Sequence, residues 1–384
     1  MATKYDYVLV GGGLQSALLV LGLRALQPGC RVALVEKDTR LGGNHTWCFH
    51  SGDVSGAVRT WIEPLVRKRW PAYSVRFTGF ERRIEREYAA IASERLHTVV
   101  LDALQPGSDA HLGHEATRVA ENEVELADGT RLLGRVVVDA RGPRPHTNQT
   151  TPSTHGFQKF LGLELETTVQ HGIDVPMLMD ATVDQGEGFH FVYSLPFTPT
   201  RLLVEDTFFA DRSALDREAC RSRILDYVAA RGIAVASVVR EEEGVLPMPW
   251  RDDFDAPPRG PLRAGYRGGF FHPATGYSLP VAARLAEHVA SRPPARLFDD
   301  ALLAFARRHR RQAVFCHRLN SMLFQWFPPE RRWHVFRRFY GLPVETIERF
   351  YALRLRTLDQ GRLLLGRPPR GMSVRYRISK GAQR

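Results

Sequence analysis

The sequence predicts an α/β fold: a Rossmann-type nucleotide-binding domain, an inserted antiparallel β-sheet region and a helical C-terminal part. Three observations predict it. The chain opens on a strand, glycine turn, helix and strand; short β-rich segments occupy residues 157 to 209; and arginine- and aromatic-rich sequence fills the last quarter.

Tyr7 to Val10 is an apolar run of the kind a strand buried on both faces needs. Gly11 and Gly13 lack a Cβ, which permits a tight turn and lets a pyrophosphate approach the backbone. The helix N-terminus behind them, with Gln15 and Ser16 in its first turn, favours that negative charge. Ser16 stands where the usual pattern has its third glycine. Ala17 to Leu21 and Leu23 to Leu26 are strongly helix-forming, and Pro28-Gly29 ends the run. Val32 to Val35 forms the second strand. Glu36 lies 23 residues past Gly13, the place from which a carboxylate takes ribose hydroxyls, with Lys37 beside it. The glycines come almost at residue 1, and Arg40-Leu-Gly42-Gly43 follows the carboxylate. A second glycine pair of this kind runs beside the cofactor in flavoproteins, so FAD is expected rather than NAD.

A chain of 384 residues can bury a large core. Residues 1–150 plus 240–292 are expected to form the FAD-binding domain, 151–239 a β-rich substrate region, and 293–384 a helical, basic and aromatic region. Cys30, Cys48, Cys220 and Cys316 show no paired spacing, which fits a reduced cytoplasmic compartment and indicates no metal site. No leader peptide is visible, and no apolar run reaches eighteen residues.

The net charge is +11, carried by 48 arginines and only five lysines. Residues 301–340 hold nine arginines against the single acid Glu330, interleaved with Phe305, Phe315, Phe324, Trp326, Phe327, Trp333, Phe336, Phe339 and Tyr340. Such a mixture suits a membrane surface, where rings enter the headgroup boundary and guanidinium groups meet anionic lipid. A nucleic-acid patch has a similar composition, and a solvated helical face also accounts for it.

Between these ends, Asn44 to His50 reads as a loop, residues 58–73 as helix then irregular chain, and Tyr88 to Val100 as a helix leading into a strand. Val119 to Val124, Asp128-Gly129 and Leu132-Leu133 suggest a hairpin. Leu133 to Gly142 is a strand whose carboxyl end carries Asp139 and Arg141, where open α/β sheets bind ligands. Phe157 to Thr168, Met177 to Thr182, Gly188 to Leu195 and Leu202 to Phe209 read as an antiparallel sheet. Ser213 to Arg231 is a helix with Ser213 as its cap and Gly232 at its end, and Gly244 to Pro249 is extended. Gly265 to Pro280, which includes His272, Thr275 and Gly276, is a glycine-rich turn before a helix from Val281 to Ser291; it is placed to close over the cofactor. The basic tail from Arg367 is expected to lack fixed structure.

Leu202-Leu203-Val204-Glu205-Asp206-Thr207 sets two carboxylates in an apolar strand, and alternation allows one to face inward and the other outward. An enclosed acid has its charged form disfavoured and becomes a general acid; an edge strand with both acids solvated is the alternative. His272 reads as a loop residue near the cofactor, and Glu164 and Asp180 are further carboxylates on β segments.

Taken together the motifs resemble the bacterial lycopene β-cyclase family, flavoproteins related to plant lycopene cyclases. The resemblance is carried by Gly11-Gly-Gly-Leu, Glu36-Lys-Asp, Gly42-Gly43-Asn-His-Thr-Trp47, Asp139-Ala-Arg141-Gly142, Phe160-Leu-Gly-Leu-Glu164, Pro176-Met-Leu-Met-Asp180, Phe191-Val-Tyr-Ser-Leu-Pro196, Leu203-Val-Glu205-Asp206-Thr207, Gly244-Val-Leu-Pro247 and His272-Pro-Ala-Thr-Gly276-Tyr-Ser. It implies a proton-driven, non-redox closure of the ends of lycopene to β-ionone rings, through γ-carotene to β-carotene. It also implies reduced FAD, NADPH as electron donor, and Glu205 with Asp206 as candidate acid or base. Lycopene and other acyclic carotenoids would be the substrates, drawn from the inner face of a membrane; nucleic acid is not an expected partner. A flavin monooxygenase or prenyl reductase would share Gly11, Gly13 and Glu36 without needing the two acids. A basic carotenoid- or nucleic-acid-binding protein without catalysis would lack bound flavin.

Overall fold

A computed structural model describes residues 4–142, 155–251, 260–365, 370–373 and 376–377. Most of the basic tail from Arg367 lies outside the described residues. In chain order the first part comprises β1 (Lys4–Val10), α1 (Leu14–Leu26), β2 (Val32–Glu36), β3 (Thr46–His50), α2 (Gly56–Ile62), β4 (Val66–Trp70), β5 (Tyr73–Phe77), β6 (Phe80–Ile84), β7 (Tyr88–Ala92) and α3 (Ser93–Ala103). Then follow β8 (Asp109–Leu112), β9 (Ala116–Val119), β10 (Glu123–Leu126), β11 (Arg131–Asp139), β12 (His155–Thr167), β13 (Met177–Ala181), β14 (Gly188–Pro196) and β15 (Arg201–Ala210). The last part is α4 (Arg217–Ala229), β16 (Val235–Pro249), β17 (Leu262–Arg263), α5 (Leu279–Ala290), α6 (Asp300–Trp326), α7 (Trp333–Phe339), α8 (Val344–Tyr351) and α9 (Thr357–Leu364).

The first sheet runs β8-β2-β1-β11-β10-β9, with β17 also on β11. Its strands β8, β2, β1, β11 and β17 are parallel, and β9 to β11 form antiparallel pairs. Leu9, Val8 and Val138 are fully buried, as apolar central strands covered on both faces must be. α1 packs against α5, so the helix after the first glycine turn and the helix after residue 278 cover one face together. The turn that ends α1 has Gly29 at φ 88°, and the one that ends α4 has Gly232 at φ 71°.

The second sheet runs β16-β12-β15-β14-β13-β5-β6. It takes more of the chain than residues 151–239: β5 and β6 join it from the first hundred residues, and β16 extends it to Pro249. Glycine and proline in Gly244 to Pro249 therefore mark a long sheet strand rather than nucleotide-domain chain. One face of this sheet is covered by α4 through Leu161, Leu163, Val204, Phe208 and Ile224; the other joins the main core.

A three-stranded sheet, β3-β7-β4, departs most from the sequence reading. Thr46–His50 pairs antiparallel with Tyr88–Ala92 instead of looping, and Val66–Trp70 pairs with the other edge. Tyr88-Ala-Ala-Ile-Ala has helix-forming composition, but every residue is buried between two partner strands, and tertiary pairing overrides propensity. The order is thus strand then helix, the reverse of the expectation. At α4 the cap is Asp216, whose Oδ1 accepts the Ala219 N–H at 3.1 Å, three residues past the expected Ser213.

Most rings of the 301–340 segment point inward. Phe315, Phe324, Phe327, Phe339 and Tyr340 are buried, and Phe336 stacks on Phe189 with centroids 3.9 Å apart. Their period fits the core face of α6 and α7 rather than a ring belt at a membrane. Among the described residues no helix is long and apolar enough to cross a membrane.

Candidate active site

The C-terminal ends of β1, β2 and β11 open into a cavity of about 790 Å³ whose opposite wall is the second sheet. Gly11 sits at φ 99°, and a Cβ there would meet the Ala140 carbonyl oxygen at 2.9 Å. Only glycine lets the first turn pass β11 so closely. A Cβ on Gly13 would meet no atom within 4 Å, so the open side of this turn is the cavity itself. Gly13 also caps α1 without a side-chain hydrogen bond, and no acid lies in the first turn. The first N–H groups of α1 are thus left for an anionic ligand.

Glu36 lines the cavity at the end of β2; its Oε2 accepts the Gly12 N–H at 2.5 Å and its Oε1 the Asp38 N–H at 3.0 Å. Lys37, Gly43, Gln15, Gly142, Gly265, Thr275 and Gly276 also line it. Gln15 is buried, with Oε1 unpaired among the described residues and Nε2 donating to the Ala282 carbonyl at 3.2 Å. A buried orphan acceptor beside open space fits a polar ligand there. The glycine cradle, the uncapped helix and this acceptor fit the dinucleotide that the sequence leads one to expect.

Three expected cofactor residues stand back from the cavity. Asp139 holds Arg141 through two hydrogen bonds of 2.9 Å. Burial opposes its charge, but Arg141 and then Arg267 keep its carboxyl below the usual range. Arg141 itself lines the cavity, so Asp139 aims it. His272 is fully buried; Nε2 faces the Phe350 carbonyl at 2.9 Å and Nδ1 accepts the Ala274 N–H at 3.2 Å. Burial pushes it down to about 4, and it pins the loop as a neutral imidazole. Ser16 is buried behind the turn, its Oγ unpaired among the described residues.

On the second sheet, alternation along β15 sends Glu205, Thr207 and Phe209 into the cavity. Asp206 faces the other way, fully buried: its Oδ1 lies 2.5 Å from His190 Nε2 and its Oδ2 accepts from Arg223 Nε at 2.8 Å. The two adjacent acids therefore do separate jobs, and Asp206 does not reach the cavity. Glu205 is walled by aromatic residues, with Tyr193 directly opposite in the β14 register and Trp47, Phe160, Phe191 and Phe209 around the same space. Burial raises its carboxyl well above the ordinary value, and the neighbouring Glu242 adds to the rise.

Glu242 was not singled out from the sequence. It lies in Glu241-Glu242-Glu243, which reads as a solvated acidic run, but on β16 alternation buries only the middle residue. Arg240 Nη1 donates to its Oε2 at 2.5 Å and Thr46 Oγ1 at 2.9 Å. Glu164 belongs to the same network: Arg67 grips it with bonds of 3.0 and 2.6 Å, and Arg240 Nε reaches it at 3.1 Å. Asp180 is enclosed instead by Thr182, Tyr227 and Arg231, outside the cavity.

The family model described as lycopene cyclase protein matches residues 6–376. A lycopene β-cyclase of Pseudescherichia vulneris is 42% identical over 383 residues, covering 97% of each chain. Among solved structures, a geranylgeranyl bacteriochlorophyll reductase-like protein of Thermoplasma acidophilum superposes with a TM-score of 0.62 at 12% identity, covering 100% of this chain and 97% of its own. A probable FAD-dependent monooxygenase of Pseudomonas aeruginosa gives 0.61 at 18% identity, covering 86% and 98%. These two share the fold. By the match across nearly its whole length, the chain belongs to the lycopene cyclase family.

Proposed function

We propose that this chain is a lycopene β-cyclase, an isomerase of carotenoid biosynthesis that closes the ends of lycopene to β-ionone rings without net oxidation. The observation that carries this reading is the place of Glu205, a carboxyl on an apolar strand that opens into the cavity the glycine turn also lines, where burial disfavours its charged form. Glu205 gives its proton to the terminal double bond, and an internal double bond attacks the resulting cation to close the ring. A ring proton is then lost to the same carboxylate, so no atom or electron is gained. γ-Carotene forms first and β-carotene after the second end reacts. Trp47, Phe160, Phe191, Tyr193 and Phe209 line the cavity and exclude water, and aromatic rings attract a cation formed among them. A dry, low-dielectric wall also strengthens each charge interaction within it.

FAD would be held by Gly11, Gly13, Gln15, Glu36, Lys37, Gly43, Arg141, Gly142, Gly265, Thr275 and Gly276, all of them in the cavity lining. When bound in its reduced form, with NADPH as the electron source, it supplies negative charge beside the cation. Asp139 and His272 hold this lining in place from behind, and Ser16 packs behind the turn.

The enzyme takes its substrate from an anionic membrane surface. Arg307, Arg311 and Arg318 of α6 and Gln360 of α9 line an open groove, and on α9 Leu358 is 75% exposed, with Leu365 just beyond it at 73%. Guanidinium groups and exposed leucines are the two kinds of side chain that suit the headgroup boundary.

The deciding experiment is anaerobic incubation of the purified protein with lycopene in liposomes, FAD and NADPH, followed by chromatography with mass detection. A product of unchanged mass with β-ring absorbance, and no stoichiometric NADPH use, is expected. A gain of oxygen or hydrogen would make the protein a monooxygenase or a prenyl reductase instead.

A further inference from the structure

Three strands of the second sheet bring a second carboxylate to the acid. Gly162 of β12 pairs with Glu205 of β15 on one side and with Glu242 of β16 on the other. All three positions therefore lie in one row on one face of the sheet. A Cβ at Gly162 would stand 2.8 Å from Glu205 Cγ and 3.0 Å from Glu242 Cγ. The missing side chain is what leaves the space between the two acidic side chains clear, so that they flank the same point of the sheet.

The two carboxyls are not equivalent. Glu242 receives Arg240 and Thr46, both as donors, and Arg240 is itself braced by Glu164, which Arg67 grips. Glu242 stands behind Glu205 and is not in the cavity lining; Glu205 is. A guanidinium on one member of a close carboxyl pair localises the negative charge there and leaves the single shared proton on the other.

We propose that Glu242 is the positioning residue of the proton donor: a carboxyl side chain, fixed by Arg240 and Thr46, that faces Glu205 across Gly162 and holds the proton on the cavity side. This rests on Glu205 being the acid of the cyclisation. When Glu205 gives its proton to the terminal double bond, its carboxylate faces the cation with Glu242 behind it; when the ring carbon releases a proton, Glu205 takes it back. The pair returns to its starting state with the proton back on Glu205 and no co-reactant consumed.

The charged and titratable groups around the pair come from every neighbouring element. They are Arg240 on β16, Glu164 on β12, Arg67 on β4, Arg201 on β15, Glu94 on α3, Tyr88 on β7, His45 before β3, Cys48 on β3 and Tyr193 on β14. Burial pushes Cys48 up to about 12 and Tyr193 well above its ordinary value, and it lowers His45. These three are neutral at pH 7, so Glu242 and Arg240 are the charges that set the state of Glu205.

The test is an infrared titration of the flavin-loaded protein, following the carbonyl stretch of a protonated carboxylic acid that disappears in Glu205→Gln. Glu242→Gln keeps the size and the hydrogen bonds but removes the charge, and should shift the Glu205 titration down by about one pH unit or more. Glu242→Asp should restore part of the shift. Should Glu242→Gln fail to fold, Gly162→Ala reads the same contact, since its methyl forces the carboxyls apart and moves the titration the same way. An unchanged Glu205 titration in the folded variant overturns the proposal, whether or not lycopene is cyclised. Absence of cyclisation by the wild type with a normal shift would instead sink the reading of the reaction and leave the pair standing. In the lycopene assay, the alkaline limb of kcat should follow the infrared shift while KM stays unchanged.

Discussion

Glu205 and Asp206 are covalent neighbours that face opposite sides of the second sheet, one in the cavity with Glu242 behind it, the other locked to His190 at 2.5 Å and Arg223 at 2.8 Å. Substitution should separate the two roles cleanly. Glu205→Gln should lower cyclisation by about 10²-fold or more, the scale of a lost general acid, and leave flavin binding intact. Asp206→Asn should keep turnover per folded molecule and cost about 3 kcal/mol of stability, since a buried pair is left half-broken. Urea unfolding beside the lycopene assay checks both; full activity in Glu205→Gln would refute its role.

Gly11 and Gly13 make a second contrast. At Gly11 a methyl meets the Ala140 carbonyl at 2.9 Å in a left-handed backbone, so Gly11→Ala should destabilise the fold by about 1–3 kcal/mol. At Gly13 a methyl meets no protein atom and the backbone is extended, so Gly13→Ala should melt within about 1 kcal/mol of wild type. Its methyl nevertheless occupies the space in front of the helix N-terminus. FAD titration by fluorescence should therefore show an affinity at least tenfold weaker, while the melting curve barely moves.

The parts of this arrangement that were legible in the sequence are those fixed by local pattern. Gly11 to Glu36 follow from a short-range turn and helix, and β15 follows from its apolar run; alternation allows Glu205 and Asp206 to face opposite sides but does not say which one meets the cavity. Glu242 was hidden because its role depends on register: without the pairing of β12 to both β15 and β16 across Gly162, three consecutive glutamates look solvated. Tyr88–Ala92 was misjudged because alanine favours helix until two partner strands bury it. The aromatic residues of α6 and α7 suit a membrane surface, a nucleic-acid patch or an ordinary helical face equally by composition, because composition does not say which side of a helix faces the core. His272 lies in a loop as its neighbours predict, and its hydrogen bonds, to Ala274 in that loop and to Phe350 on α8, explain it.

His272 makes stability depend on acid. Its folded value is about 4 against an ordinary 6.5, so the folded state binds fewer protons than the unfolded chain between these values. Stability contributed by the neutral ring is full above pH 6.5 and is lost as the pH falls toward 4. His272→Gln should weaken this acid dependence, seen as a smaller drop in urea midpoint from pH 7 to pH 5. At neutral pH the variant should be less stable, because the loop loses its bond to Phe350.

For Glu205 the sign is opposite. Its folded carboxyl keeps its proton to higher pH than the unfolded one, burial being the main cause, so the folded state binds more protons once the pH passes the ordinary carboxylate range. Stability is greatest below that range and declines as the pH rises, by about 1.4 kcal/mol per unit while the group remains protonated only in the folded state. Glutamine in its place is neutral at every pH and can still donate to Glu242. Glu205→Gln should thus lie close to wild type at pH 4 and be more stable than wild type at pH 8, with the gap widening between them. Urea midpoints across that range check it, and a variant that is less stable at pH 8 would show that Glu205 is not held protonated. An inactive yet more stable enzyme is what a buried acid retained for proton transfer, at the expense of the fold, should leave behind.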